Sequence, residues 1–123
     1  MTATQTARSS SSRTRRSPCP VACSLDIMGD RWTLLVVRDL MLGKTRFKDF
    51  LASPEGIPTN ILSERLRRLR ARRIITQVSD TGGSRHRAYR LTEKGEALRP
   101  VLQTMKDWGL AWEKGTRAWI RAV

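Results

Sequence analysis

Long apolar runs are missing from this sequence of 123 residues. A membrane-spanning helix needs about 20 consecutive apolar residues, whereas the longest apolar stretch, residues 32–37, is bounded by arginines on both sides. The first residues include arginines but no apolar core followed by a small-residue cleavage site. We therefore expect no membrane partner and no secretory signal, and the length suits one domain with a modest core.

Cysteine is also scarce, with only Cys19 and Cys23 present. If a helix opens at Cys19, the two side chains are separated by one turn, and their Cβ vectors do not suit a disulfide. Free thiols are typical of a reducing compartment, so we expect a cytoplasmic protein.

Residues that usually carry catalysis or bind metals are few and scattered. The single histidine, His86, has no second metal ligand near it in the sequence. There is no Cys/His couple, no paired carboxylates in a cleft-like context and no glycine-rich phosphate loop after a strand. We therefore expect neither an enzyme nor a protein with a metal or other cofactor.

Acidic residues are outnumbered, 11 against 24 basic ones, which gives a formal net charge of +13. Residues 1–17 are rich in serine, threonine and arginine, and we expect them to be a disordered basic tail. Only four of the basic residues lie there, so residues 18–123 keep 20 basic against 11 acidic residues. This charge in the expected folded domain indicates an anionic partner such as nucleic acid.

The strongest pattern lies in residues 57–73, where Leu62, Leu66 and Leu69 form one apolar stripe of a helix. A charged helix face is usually only solvated, but such faces mix signs, and here six arginines accompany one acid, Glu64. We predict a recognition helix that enters a DNA major groove. The predicted base contacts are Thr59, Asn60, Ser63 and Arg67, and the predicted phosphate contacts are Arg46, Lys48, Arg65, Arg68, Arg85 and Arg87.

The preceding residues predict three further helices. The first follows Pro20, with Cys19 as its cap, and ends at Gly29. The second covers residues 31–42 after an Asp30 cap, and its wide apolar set predicts a central position. The third covers residues 46–52 after a Thr45 cap, with Lys44, Arg46 and Lys48 facing outward. A short helix, a turn and the arginine-rich helix make a helix-turn-helix.

After the recognition helix we predict a two-stranded wing, with strands at residues 74–78 and 85–91 and a hairpin loop at 80–84. A single long helix, capped by Thr92, should then run to about residue 113. The fold class is therefore mainly α with a small β-hairpin wing (α+β). Apolar residues at three- and four-residue steps on the last helix predict a homodimer face, although its tryptophans could instead pack back on the same chain. The predicted dimer contacts on the first and last helices are Val21, Leu25, Leu102, Met105, Trp108 and Trp112.

Several strings together resemble the HxlR family of bacterial winged helix-turn-helix regulators, which are related to the MarR regulators. They are CPV at 19–21, LD at 25–26, GDRWT at 29–33, RF at 46–47, LSERLRRL at 62–69, YRLT at 89–92 with Gly95, and LRPVL at 98–102. The resemblance implies a cytoplasmic, homodimeric transcription factor whose first and last helices pair the subunits. It also implies that the fourth helix enters the major groove and the wing touches the minor groove. The family usually has acidic residues and a glycine where this chain has residues 70–74, RARRI.

Several members of that family sense oxidants, quinones or aldehydes through the cysteine that matches Cys19. In this chain Arg15 and Arg16 precede Cys19 at a predicted helix N-terminus, which is a setting typical of reactive thiols. We therefore expect a small oxidant or electrophile as a possible signal. Cys19 could also simply cap the helix, and Cys23 is not part of the family pattern.

The expected function is a sequence-specific regulator of transcription, most simply a repressor, that binds double-stranded DNA as a homodimer on a pseudo-palindromic operator. The alternative is a non-specific architectural or RNA-binding protein, although the low aromatic content is not typical of single-strand readers. A third reading is a small effector in a dimer cavity lined by Trp32, Trp108 and Trp112, which are as easily explained as core residues.

Overall fold

The structure, a computed structural model, describes residues 15–79 and 87–118. The predicted hairpin loop at 80–84, Arg85, His86 and most of the predicted basic tail lie outside these residues. The chain divides at Asp30 into two compact units. In chain order the elements are α1 (Pro20–Met28), α2 (Thr33–Met41), α3 (Phe47–Leu51), α4 (Thr59–Ala71), β1 (Ile75–Ser79), β2 (Arg87–Leu91), α5 (Glu93–Glu96) and α6 (Arg99–Trp112).

Helix α1 lies in the first unit and begins as predicted. Cys19 occupies the N-cap position and Pro20 the first turn, although the Cys19 side chain makes no capping hydrogen bond. The Gly29 N–H donates to the Leu25 carbonyl at 2.7 Å and closes the helix. Arg16 pairs with Asp26 at 2.6 Å.

The core of the second unit surrounds α2, as its wide apolar set predicts. Val36 and Val37 are buried against side chains from other elements. The helix begins at Thr33 rather than Arg31, because its first helical hydrogen bond runs from the Val36 N–H to the Trp32 carbonyl at 3.1 Å. The other buried apolar residues are Leu40, Phe50, Ile57, Leu62, Leu66, Leu69, Ile74, Ile75 and Leu102.

The short helix α3 begins one residue later than predicted. Arg46 occupies the N-cap position rather than Thr45, and its N–H donates to the Asp49 carboxylate at 3.2 Å. The carboxylate of Asp49 therefore satisfies an N–H that the helix itself leaves unpaired.

The predicted wing is present as an antiparallel pair in which Ile75 faces Leu91 and Ser79 faces Arg87. Tyr89 joins it to the helices in two ways. Its N–H donates to the Thr45 carbonyl at 2.8 Å, and its ring packs edge-on against Phe50 with the centroids 6.3 Å apart. The wing is thus fixed beside the helix-turn-helix.

The single long helix predicted after Thr92 is wrong, because the segment forms two helices, α5 and α6. The Thr92 cap itself is confirmed, since its hydroxyl accepts a hydrogen bond from the Gly95 N–H at 3.1 Å. Pro100 has no N–H to continue a helix from α5 and disfavours helical geometry in the residue before it. It is tolerated in the first turn of α6, where that N–H would be unpaired.

No helix within residues 15–79 and 87–118 is long and apolar enough to cross a membrane.

Candidate nucleic-acid interface

Helix α4 presents one buried and one exposed face. Leu62, Leu66 and Leu69 are each buried in the core, as the leucine spacing predicts. The four predicted base contacts, Thr59, Asn60, Ser63 and Arg67, are all exposed. The N-cap is Pro58, which places Thr59 and Asn60 in the first turn. The first two turns of α4 therefore display short polar side chains, and Arg67 follows.

A carboxylate lies at the centre of the basic side of α4. Glu64 pairs with Arg65, with Arg67 at 3.3 Å and with Arg68 at 3.4 Å. Partial burial acts to raise the pKa of Glu64, but the hydrogen bond from Arg65 and the three positive charges outweigh it and lower the pKa. Glu64 therefore stays ionised and holds the arginines in place. The Arg65 side chain is only 14% exposed. It is therefore less accessible to a phosphate group than we predicted.

A buried polar network, missed in the sequence, lies beneath the turn between α3 and α4. Arg38 donates to both carboxylate oxygens of Glu55, at 2.8 and 2.7 Å. It also donates twice to Asp39, at 3.1 and 2.9 Å. Ser53 bonds to the second oxygen of Asp39, and the Lys44 ammonium donates to Ser53 at 2.7 Å. These five residues, the Arg38 network, tie α2 to the turn before α4.

Two consequences follow for these residues. Lys44 is not an outward-facing cation as predicted, because its ammonium group is engaged by Ser53. The pKa of Glu55 is lowered, chiefly by its hydrogen bond with Arg38, and the same bond raises the pKa of Arg38 against the opposing effect of burial. Both groups are therefore charged, and their pairing holds the turn at the N-terminal end of α4. An Arg-Asp pair inside an otherwise apolar helix is the signal that could have revealed the network.

The remaining predicted phosphate contacts lie on neighbouring elements. Lys48 is exposed on α3, and Arg46, at its N-cap, is half-buried. Arg87 is exposed on the wing opposite Ser79. Arg85 lies outside the described residues.

The predicted dimer residues of α6 separate into two sets. Met105, Trp108 and Trp112 are 52%, 60% and 71% exposed, and Val101 continues the same stripe. Leu102 is only 7% exposed, so its assignment to the dimer face is corrected: it belongs to the core. One helix can carry two adjacent apolar stripes, and the sequence did not distinguish them. On α1, Val21 and Leu25 are exposed.

The effector cavity predicted between two subunits of a dimer stays a prediction. Trp32 borders a cavity of only about 10 Å³ with Leu35 and Phe50, enough for one water at most. Trp108 and Trp112 are exposed on α6 instead.

Both cysteines are free thiols, with Cys19 exposed and Cys23 half-buried. The Cys19 N–H donates to the Ser17 hydroxyl at 3.0 Å. The predicted sensor thiol is thus accessible at the start of α1. Within the described residues, no cluster of three or more potential metal ligands occurs.

A helix-turn-helix with an exposed polar helix, followed by an antiparallel hairpin beside it, defines a winged helix-turn-helix domain. Residues 27–117 match the HxlR-like helix-turn-helix family. The chain belongs to this family.

Known relatives agree with this assignment. An uncharacterised HTH-type transcriptional regulator of Mycobacterium tuberculosis, Rv3095, is 37% identical over 89 residues, which is 72% of this chain and 56% of that protein. The chain therefore spans about half the length of this relative. The crystal structure of PA1607 superimposes with a TM-score of 0.77 at 41% identity, covering 89% of this chain and 76% of that one. The reduced form of the regulator YodB from Bacillus subtilis gives 0.65 at 31% identity, covering 80% and 98%.

Proposed function

We propose that the chain is a sequence-specific repressor that binds double-stranded DNA as a homodimer on a pseudo-palindromic operator. The observation that carries the proposal is the exposed face of α4, on which Thr59, Asn60, Ser63 and Arg67 lie together. In this reading α4 enters the major groove, where the amide of Asn60 suits adenine and the guanidinium of Arg67 suits guanine.

Phosphate contacts flank that face. Lys48 and Arg46 on the α3 side, Arg68 on α4 and Arg87 on the wing would fix the position of α4 on the duplex, because phosphate contacts set register without reading sequence. Arg65 and Arg68 both pair with Glu64, so each would contribute only after leaving that carboxylate.

The second copy is supported by the exposed stripe of α6. Val101, Met105, Trp108 and Trp112 recur at four- and three-residue steps, and contiguous apolar side chains of this size rarely stay in solvent. Pairing through this stripe, with Val21 and Leu25 of α1 contributing, would place two α4 helices on half-sites about one helical turn apart. An operator read in this way is roughly palindromic.

The signal we propose is an oxidant or electrophile that reacts with Cys19. The support is the exposure of this thiol on α1 and the similarity to YodB, whose structure is known in reduced, quinone-bound and diamide-treated forms. A covalent change at Cys19 would alter α1 and, through the proposed dimer, the spacing of the two α4 helices. DNA as the ligand implies a cytoplasmic location.

A competition titration tests the DNA-binding proposal. The protein is titrated against a fragment of its own upstream region, with random DNA of equal length as competitor, at about 150 mM salt. A preference of about 10³-fold or more is expected for a specific regulator. A ratio near one, retained for sites selected from a random pool, would instead support a non-specific architectural protein.

Arg67→Ala tests the exposed face of α4 formed by Thr59, Asn60, Ser63 and Arg67, here called the reading face. Specific binding should weaken by about 1–3 kcal/mol while the dimer stays intact. Equal losses on operator and random DNA would show that Arg67 contacts phosphate only.

The sensor proposal has a matched control in the second cysteine. Diamide or a quinone should change operator affinity in the wild type and in Cys23→Ser, but not in Cys19→Ser. A response that survives Cys19→Ser would exclude Cys19 as the sensor.

A further inference from the structure

Three arginines at the C-terminal end of α4 are not used by the proposed reading face. Arg70, Arg72 and Arg73 are all exposed. Among the described residues, none of their guanidinium groups makes a hydrogen bond or an ion pair. They are therefore available to a ligand, unlike Arg65, Arg67 and Arg68, which contact Glu64.

The backbone of Arg73 is in the left-handed region, with φ 62°. It is the one non-glycine residue with positive φ in the described chain. The Arg73 N–H donates to the Arg70 carbonyl and the Ile74 N–H to the Leu69 carbonyl, each at 2.9 Å. This pair of bonds is the Schellman motif, whose left-handed position is usually glycine. An arginine in this position strains the backbone, and such strain is concentrated at functional sites.

Residues at the start of α5 hold this strained segment in place. The Lys94 ammonium donates to the Arg72 carbonyl at 2.8 Å. The Thr92 hydroxyl lies 2.6 Å from the Arg73 carbonyl and 3.1 Å from the Ile74 carbonyl, and donates to them. The arginine side chains therefore project from a fixed backbone, which lowers the entropy cost of binding a ligand.

An open groove of about 580 Å³ lies beside the segment, between α4 and β1. Arg67, Arg70 and Arg73 line it together with Thr76 and Gln77, and none of its lining residues is acidic. Arg67 also belongs to the exposed face of α4. The groove, here called the arginine groove, is thus a cationic continuation of the proposed reading face.

We propose that the arginine groove binds the phosphodiester backbone of the duplex next to the bases read by α4. Arg73 keeps its strained conformation because that conformation places its guanidinium at the groove. The inference rests on the proposed function in that the ligand is the same DNA, but phosphate contacts are independent of sequence and can be measured on any duplex.

Three substitutions of Arg73 separate charge from strain. Arg73→Ala removes the guanidinium and keeps a side chain that is strained at positive φ, whereas Arg73→Gly removes both. Each should reduce the slope of log affinity against log salt concentration by about 1, on operator and on random DNA. Arg73→Lys should restore most of the slope lost in Arg73→Ala.

Thermal unfolding of the same variants reports the strain. Arg73→Gly should raise Tm by about 2–5 °C relative to Arg73→Ala. The comparison is made with Arg73→Ala because both variants lose the same charge. A Tm for Arg73→Gly equal to or below that of Arg73→Ala would refute the strain argument.

A double variant and a charge control complete the test. Arg70→Gln with Arg73→Gln, which removes two of the groove arginines, should reduce the slope by about 2. Lys114→Gln, an exposed cation after α6, should leave it unchanged. Inorganic triphosphate serves as a competitor. The proposal would be overturned in favour of a free polyphosphate ligand if the protein bound triphosphate strongly and Arg73→Ala abolished that binding without changing the slope for DNA.

The outcomes distinguish this inference from the proposed function. Operator preference in the wild type with unchanged slopes in the arginine variants would refute the groove alone. Reduced slopes without operator preference would refute sequence specificity and support the groove. A wild type that does not bind DNA would refute both.

Discussion

Replacing Glu55 by glutamine should destabilise the domain far more than the same change at a surface ion pair. Glu55 accepts two hydrogen bonds from Arg38, at 2.8 and 2.7 Å. The Arg38 side chain is only 9% exposed, so water cannot replace the lost carboxylate easily. A glutamine amide offers one neutral oxygen in place of two charged ones.

The magnitude follows from what remains after the change. Hydrogen bonds to charged groups contribute about 1.5–3 kcal/mol each, but Arg38 keeps both bonds to Asp39, and the Glu55 side chain is 28% exposed. We therefore expect a loss of about 1–2 kcal/mol, well below the roughly 3–5 kcal/mol of a fully stranded buried charge. This is a large share of the total of about 5–15 kcal/mol expected for a domain.

Urea unfolding followed by tryptophan fluorescence measures the loss. The protein concentration is held constant, because a dimer's stability depends on it. The matched control is Glu96→Gln, which breaks the surface pair of Glu96 with Arg99 at 2.8 Å. That pair should contribute no more than about 0.5 kcal/mol.

Equal, small losses in both variants would contradict the reasoning, because they would mean that the Arg38 network is as solvated as a surface pair. If the reasoning holds, operator affinity should also fall in Glu55→Gln, since the network holds the turn that precedes α4.

Three further predictions concern Glu55, Trp108 and Gly95. Because the pKa of Glu55 is lowered in the folded state, the unfolded state takes up this proton first as the pH falls. The contribution of Glu55 to the free energy of unfolding should therefore be complete above about pH 4.5 and be lost as the pH falls below it. Acid unfolding of Glu55→Gln should be less pH-dependent in this range than that of the wild type. Trp108→Glu should shift sedimentation from dimer to monomer and abolish operator binding, whereas a dimer of unchanged stability would exclude the α6 stripe as the interface. Gly95→Ala should destabilise by about 2 kcal/mol, because its Cβ would lie 2.2 Å from the Ile74 carbonyl oxygen. Gly109→Ala, which meets nothing within 4 Å, should instead raise the urea midpoint by an amount equivalent to about 1 kcal/mol.

Sequence patterns predicted the local structure correctly where the residues that determine it lie within a few positions of one another. Pro20 predicted the start of α1, and the Thr92 hydroxyl caps α5 as its position before Glu93 suggested. The leucine spacing in residues 62–69 separated the two faces of α4 correctly. The same local reasoning erred at Pro100, where a continuous apolar stripe outweighed the break that proline imposes.

The sequence by itself determined the helix-turn-helix, the wing and the polar face of α4, because each depends on periodicity or on turn residues within a few positions. Only the tertiary structure decided which α6 side chains join the core, since Leu102 and Met105 belong to stripes that a linear pattern cannot separate. It also decided the Arg38 network, whose ion pair joins residues 17 positions apart. The left-handed Arg73 required tertiary information as well, because its carbonyl is held by Thr92 from the far side of the wing. Contacts between distant segments, and the burial they create, are the physical information that neighbouring residues do not carry.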